Sequence, residues 1–224
     1  MRKILGVMCV LTGILCLMAA AGLVINNQNE AEQAAQFSGD ILVEVQNLIQ
    51  QSPAASVLEI EPAETVSLKL PQEQSPDLQA EEEIAEPDPE LQEMVTIQVD
   101  GVDCIGILSI PVLRLELPVL SDWSYEKLKM APCVYYGSCF EPDFVIAGHN
   151  YQGHFYNLSQ LRPKDLVFFT DASGNVYQYE VVLLETLSPE ATEAMITSGF
   201  DLSLYTCTPG GGNRVTVRCM AVSS

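Results

Sequence analysis

The chain has 224 residues, 48% of them hydrophobic, and carries 30 acidic against 10 basic side chains for a formal charge of −20. The length allows one ordinary domain with appendages, and the charge argues against a nucleic-acid binder, which needs clustered Lys and Arg facing phosphate. Residues 1–25 hold two bases and no acid, residues 26–100 seventeen acids and one base (Lys69), and residues 101–224 thirteen acids and seven bases. From Ile4 to Ile25 there are 22 consecutive uncharged residues. As a helix they would reach about 33 Å, enough for a hydrocarbon core of about 30 Å. Arg2 and Lys3 precede this stretch and no base follows until Lys69, which puts the N-terminus in the cytoplasm and the rest outside. A cleaved signal peptide ending at Ala19-Ala20-Ala21 is the rival reading, but its apolar region would be shorter. Leu15 before Cys16 is too large for a lipid-modified cysteine.

Ala31, Ala34, Ala35, Ile41, Leu42, Val45, Leu48 and Ile49 follow a helical period, with a break suggested at Ser38-Gly39. From Ser52 to Glu93 the chain is rich in Pro, Glu and Gln, and no aromatic residue occurs between Phe37 and Trp123. Such a composition cannot bury enough apolar surface to fold and reads as a solvated tether. The expected organisation is therefore a transmembrane anchor over 1–25, a helical then disordered acidic spacer over 26–100, and a folded domain over 101–224. That domain is expected to fold without the rest.

The last part shows short β-type runs at Ile105–Ile110, Leu115–Leu120, Phe144–Ala147, Leu166–Thr170, Val176–Leu184, Leu202–Thr206 and Val215–Cys219. Pro118 suits an edge or bulge. Helical stretches are short: Tyr125–Met130, Phe155–Leu161 and Pro189–Thr197. Closely spaced strands with little helix predict an antiparallel barrel or sandwich.

Five cysteines lie beyond the apolar segment: Cys104, Cys133, Cys139, Cys207 and Cys219. An odd number in an exported domain leaves one candidate reactive thiol. If the runs around Cys207 and Arg214 form a hairpin across Thr208–Asn213, Cys207 and Arg214 are opposed and share a face with Ser203, Tyr205, Thr216 and Arg218. Leu204, Thr206, Val215, Val217 and Cys219 form the inward face. A cation beside Cys207 favours the thiolate, the nucleophilic form. Arg218 lies about 13 Å further along the strand, so its replacement by lysine is expected to be mild. A cysteine nucleophile needs an acid/base partner. Of the two histidines, His149 follows a buried strand and a glycine, and is preferred to His154. A zinc site from Cys133, Cys139, His149 and His154 lacks any usual ligand spacing, so no metal and no cofactor are expected. A Cys133–Cys139 disulfide stays open.

These residues resemble the sortases, membrane-anchored cysteine transpeptidases of Gram-positive bacteria. Ile105-Gly106-Ile107-Leu108-Ser109-Ile110-Pro111 looks like the family's opening strand and Leu117-Pro118-Val119 like its second. Ala147-Gly148-His149 matches the catalytic-histidine motif, with Phe155 and Leu158 at the usual distance. Leu204-Tyr205-Thr206-Cys207 is similar to the Leu-x-Thr-Cys strand, with Arg214 in the arginine position. The resemblance implies a closed eight-stranded β-barrel with short helices, behind a transmembrane helix and an acidic stalk. It implies that Cys207 attacks a peptide carbonyl in the C-terminal sorting signal of an exported protein. An amine of a peptidoglycan precursor or of a pilin-like subunit then resolves the thioester. His149 is the implied general acid/base and Arg214 binds substrate oxygens and the oxyanion. Thr206, Tyr205 and Asn150 are groove candidates. The implied active pair is thiolate with imidazolium, giving a bell-shaped pH profile. The segment from Leu187 to Phe200 is too short for a class B helix and no aromatic lid precedes residue 101, so class D is the nearer subclass and class B the next. A thiol hydrolase on the same scaffold, or a non-enzymatic surface ectodomain, are the alternatives.

Overall fold

A computed structural model describes residues 2–51 and 93–222. The expected tether lies outside the described residues, except for Glu93. Helix α1 (Arg2–Gln50) is unbroken over 49 residues, a length of about 74 Å. It contains no proline, and it stops just before Ser52-Pro53, where the chain is biased away from helical geometry. Its apolar part is long enough to cross a membrane and is not buried against the rest of the protein.

Further along, α1 changes character. Ala34, Ser38, Ile41, Val45 and Ile49 are buried and recur every three or four residues, so they form one face. This face packs on Val99, Val102, Cys104, Leu120, Ala131 and Cys133. Ser38-Gly39 does not break the helix. Ser38 is docked: its hydroxyl donates to the Met130 carbonyl at 2.6 Å and lies 3.0 Å from His154 Nε2. Residues 34–49, expected in a spacer, thus belong to the packed body.

That body is a nine-stranded sheet: β1 (Ile97–Val99), β2 (Val102–Ile110), β3 (Leu115–Leu120), β4 (Cys133–Tyr136), β5 (Phe144–Ala147), β6 (Leu166–Asp171), β7 (Val176–Leu187), β8 (Leu202–Cys207) and β9 (Arg214–Ala221). The order is β1-β2-β3-β4-β5-β8-β9-β7-β6, and β6 pairs back onto β2. Eight strands, β2 to β9, therefore close a barrel, and β1 adds a short hairpin to β2. The closure turns on Gly106, where the β2–β3 register shifts. A Cβ there would lie 2.1 Å from the Thr170 carbonyl oxygen of β6, so only glycine allows the strands to meet.

Strand β2 is buried on both sides, which accounts for its nearly continuous apolar run. Ile105, Leu108 and Ile110 join the barrel interior with Phe144, Phe169, Leu204 and Val217. Cys104 and Ile107 face the other cluster, beneath α1. Strand β3 meets β4 only at Leu120↔Cys133. Pro118 therefore stands on an open stretch of edge where its missing N–H costs no ladder bond. The short helices are α2 (Tyr125–Leu128) and α3 (Thr192–Ile196), with a 3-10 turn at Leu158–Gln160. Cys133 and Cys139 are both free and sit in different clusters.

Candidate active site

Strands β8 and β9 pair in the register that opposes Cys207 with Arg214 and Ser203 with Arg218. Beyond β8, the ladder continues one step through Thr208 N–H to the Asn213 carbonyl at 2.9 Å, and Asn213 N–H donates to Thr208 Oγ1 at 3.0 Å. The Gly210-Gly211 turn, with both φ near +80°, is closed by Gly211 N–H to Thr208 O. Arg214 lends a guanidinium N–H to the Gly211 and Asn213 carbonyls at 3.1 and 3.2 Å.

Strand β5 runs parallel to β8, with Ala147 opposite Tyr205. Gly148 N–H continues the ladder to the Tyr205 carbonyl at 3.0 Å. His149 is the second residue past the end of β5, as Cys207 is the second past Tyr205 on β8. Gly148 is required here because a Cβ would lie 2.4 Å from the Phe155 ring. Phe155 in turn binds the His149 carbonyl through its N–H at 3.0 Å.

Of the five cysteines beyond the apolar segment, Cys207 alone is not buried. Burial pushes the Cys104 and Cys139 thiols up to about 11, and those of Cys133 and Cys219 up to about 12. They are thus protonated and shielded at neutral pH. His149 is half-buried, and this desolvation holds its pKa below the ordinary 6.5. The Asn150 side chain and Glu30 act in the opposite direction, and Lys129 adds to the depression. His154 is different in kind: it is 1% exposed and burial holds it at about 4. It serves as a neutral fastener between its loop and α1, remote in role from Cys207.

The groove candidates divide. Asn150 lines a recess of about 230 Å³ with Cys207, Tyr156 and Gln160. Tyr205 lines a second, of about 170 Å³, with Arg214, Trp123, Tyr135 and Met195. Thr206 lines the first recess too, although it is 3% exposed and its hydroxyl finds no partner among the described residues. The aromatic wall of the second recess, Trp123–Tyr135–Tyr205 with edge-on rings at 6.2 and 5.3 Å, has no local sequence signal, because its three rings come from separate segments.

Arg218 corrects a larger expectation. It is 1% exposed. Its guanidinium pairs with Glu185 at 2.7 Å and donates to Ser203 Oγ at 2.7 Å, to the Ala194 carbonyl at 2.6 Å and to the Met195 carbonyl at 3.4 Å. It also lies over the Phe200 ring at 5.6 Å. Together with Asp143, which accepts from Ser198 and Gly199 N–H at 2.7 and 2.9 Å, it ties down the loop from 188 to 201 that walls the Arg214 recess. An arginine among alternating apolar residues is the one sequence signal that could have marked it as a buried ion pair.

A strand-end cysteine with an arginine across the strand pair, and a histidine just past the strand beside it, stand on one closed barrel. The sortase domain family matches residues 108–222. Sortase A of Bacillus anthracis is 32% identical over 126 residues, 53% of this chain and 59% of that protein. Among solved structures, sortase A from Corynebacterium diphtheriae superposes with a TM-score of 0.50 at 24% identity, covering 55% of this chain and 62% of that one. Sortase C1 from Streptococcus agalactiae superposes with 0.50 at 25%, covering 57% and 72%. The chain belongs to the sortase family, and it spans about 59% of the length of the curated relative it matches.

Proposed function

We propose that the protein is a cysteine transpeptidase in which Cys207 is the nucleophile, His149 the general acid/base and Arg214 the oxyanion and substrate ligand. What supports this is that Cys207 alone of the five outer cysteines is not buried, that it stands opposite Arg214, and that His149 follows the strand beside β8. The Cys207 thiolate attacks a peptide carbonyl in a C-terminal sorting signal. As the C–N bond breaks, His149 protonates the departing amine, leaving an acyl thioester. A second amine, from a peptidoglycan precursor or a protein subunit, gives its proton to His149, attacks the thioester and expels the thiolate. Arg214 is an always-charged donor fork facing the oxygen where negative charge develops. The aromatic recess at Arg214 suits the acyl-donor peptide, and the polar recess of Asn150 and Gln160 suits the approach of the amine.

In this reading residues 4–25 anchor the chain in a cell membrane as a single span, N-terminus inside, with the barrel on the outer face of a Gram-positive-type cell. Residues 1–25 are then the anchor, 26–100 the connecting segment and 101–224 the bulk of the catalytic domain, with the docked part of α1 as its support. The short loop from 188 to 201, with only a five-residue α3, supports the class D leaning over class B.

The test is turnover of sorting-signal peptides against pH, with and without an added amine. An amide product is expected when amine is present; release of a free acid alone would favour the hydrolase alternative. In a thiolate–imidazolium pair the lower of the two pKa values sets the acid limb, and burial lowers that of His149. Activity is therefore expected to persist below the pH at which an ordinary histidine would be half-protonated. The acid limb of kcat/KM should have its midpoint below about 6.5. A midpoint above that value would contradict the assignment of His149.

A further inference from the structure

We propose that Tyr151 is a positioning residue for His149, stacked on its imidazole and itself held by Glu30 of α1, so that the helix bearing the apolar span forms part of the active site. The two rings are 4.3 Å apart and within 3° of parallel. Tyr151 is 6% exposed, and its hydroxyl donates to Glu30 Oε2 at 3.1 Å. The other Glu30 oxygen accepts from Asn26 Nδ2 at 3.2 Å, one turn earlier on the helix. The carboxylate is thus fixed from both sides.

The imidazole needs such a support. Its Nδ1 is buried and has no hydrogen-bond partner among the described residues, so no carboxylate or carbonyl sets the ring plane from that side. Besides the Asn150 side chain, stacking on Tyr151 is what orients the ring. The loop that carries Tyr151 is itself clamped along α1. A Cβ on Gly153 would lie 2.8 Å from the Ala35 Cβ, and His154 Nε2 meets Ser38 Oγ at 3.0 Å. Glu30, Ala35 and Ser38 lie on successive turns of the helix. A movement of α1 would therefore be felt at His149 through a short, packed route. The charged and titratable groups that act on His149 are Glu30 on α1, Lys129 after α2, and His154 and the stacked Tyr151 on the same loop.

The inference rests on the reading of His149 as the acid/base, but its first test does not need turnover. The chain has only two histidines, so histidine-labelled full-length protein in detergent micelles gives two imidazole signals, assigned with His154→Gln. A stacked His149 has its carbon-bound ring protons shifted upfield. Tyr151→Phe is expected to keep that shift. Tyr151→Leu is expected to lose it and to raise the His149 titration midpoint towards 6.5, the sign required when a desolvating ring is removed. In turnover of sorting-signal peptides, Tyr151→Leu should lower kcat about a hundredfold with KM little changed, the cost of a misplaced catalytic group. Glu30→Ala, on a half-exposed helix position, should give a smaller loss of the same kind and leave the fold intact. Tyr151→Leu with an unmoved His149 signal, or Tyr151→Phe as damaging as Tyr151→Leu, would overturn the stacking role. Should the leucine variant not fold, Glu30→Ala decides: wild-type kcat and His149 shift in that variant would overturn the part given to α1. If no peptide is cleaved even by the wild type, the enzyme reading fails while the imidazole signals still decide the stacking.

Discussion

Arg214→Lys is expected to lower kcat/KM by about a hundredfold to a thousandfold, the usual cost of losing one oxyanion donor, with little change in thermal stability. Lysine keeps the charge but loses the planar fork. Arg214 is only half-buried and holds two loop carbonyls, so the fold depends on it weakly. Arg218→Met is expected to behave in the opposite way. It would remove the cation facing Glu185 and the donors to Ser203, Ala194 and Met195. Removing one partner of a buried pair costs about 3–5 kcal/mol. Since Glu185 is 32% exposed and can regain water, about 3 kcal/mol is the better figure, or roughly 10 °C in Tm. Activity at low temperature should survive in part. Melting curves and kinetics of the two variants check this. Equal losses of both kinds in both variants would mean that the two arginines do not divide the work as their surroundings indicate.

The second large effect concerns α1. Ile41, Val45 and Ile49 are almost fully buried against the barrel, each contributing about 1.5–3 kcal/mol. Removing residues 1–50 would therefore cost about 5 kcal/mol, comparable with the whole stability of many domains. It would also expose the apolar face of Val99, Val102 and Leu120. A chain beginning at residue 101 also lacks β1 (Ile97–Val99), so it is expected to be less stable than one that keeps α1. A chain starting at residue 26 should unfold at a clearly higher urea concentration than one starting at residue 93. Coincident midpoints would show that the docked helix adds nothing.

The parts of the molecule that could be read from sequence are those fixed by local pattern. A six-residue turn between two alternating strands sets a register, so the opposition of Cys207 and Arg214 follows from counting. Glycine before histidine at the end of an apolar run places His149. Pro118 points to its own edge. What could not be read depends on distant partners. Ser38-Gly39 carries a local signal for a break, yet Ser38 is held in a helix by Met130 and His154, some ninety or more residues away. Strand β4 is four residues long and begins beside a proline, too short for alternation to register. Parity puts Arg218 on the face of Cys207; the loop from 188 to 201 folds over that end of the face and buries it. Tyr151 carries no signal at all until the loop is closed against Glu30.

The central claim is that Cys207 forms a covalent bond to the acyl part of a sorting-signal peptide. Intact-mass measurement of the full-length protein, quenched in acid during turnover of such peptides, tests it directly. The expected result is an added mass equal to the N-terminal fragment of the peptide, mapped to Cys207, absent in Cys207→Ala and discharged by an added amine. Turnover without any such adduct, or an adduct that persists in Cys207→Ala, would contradict it.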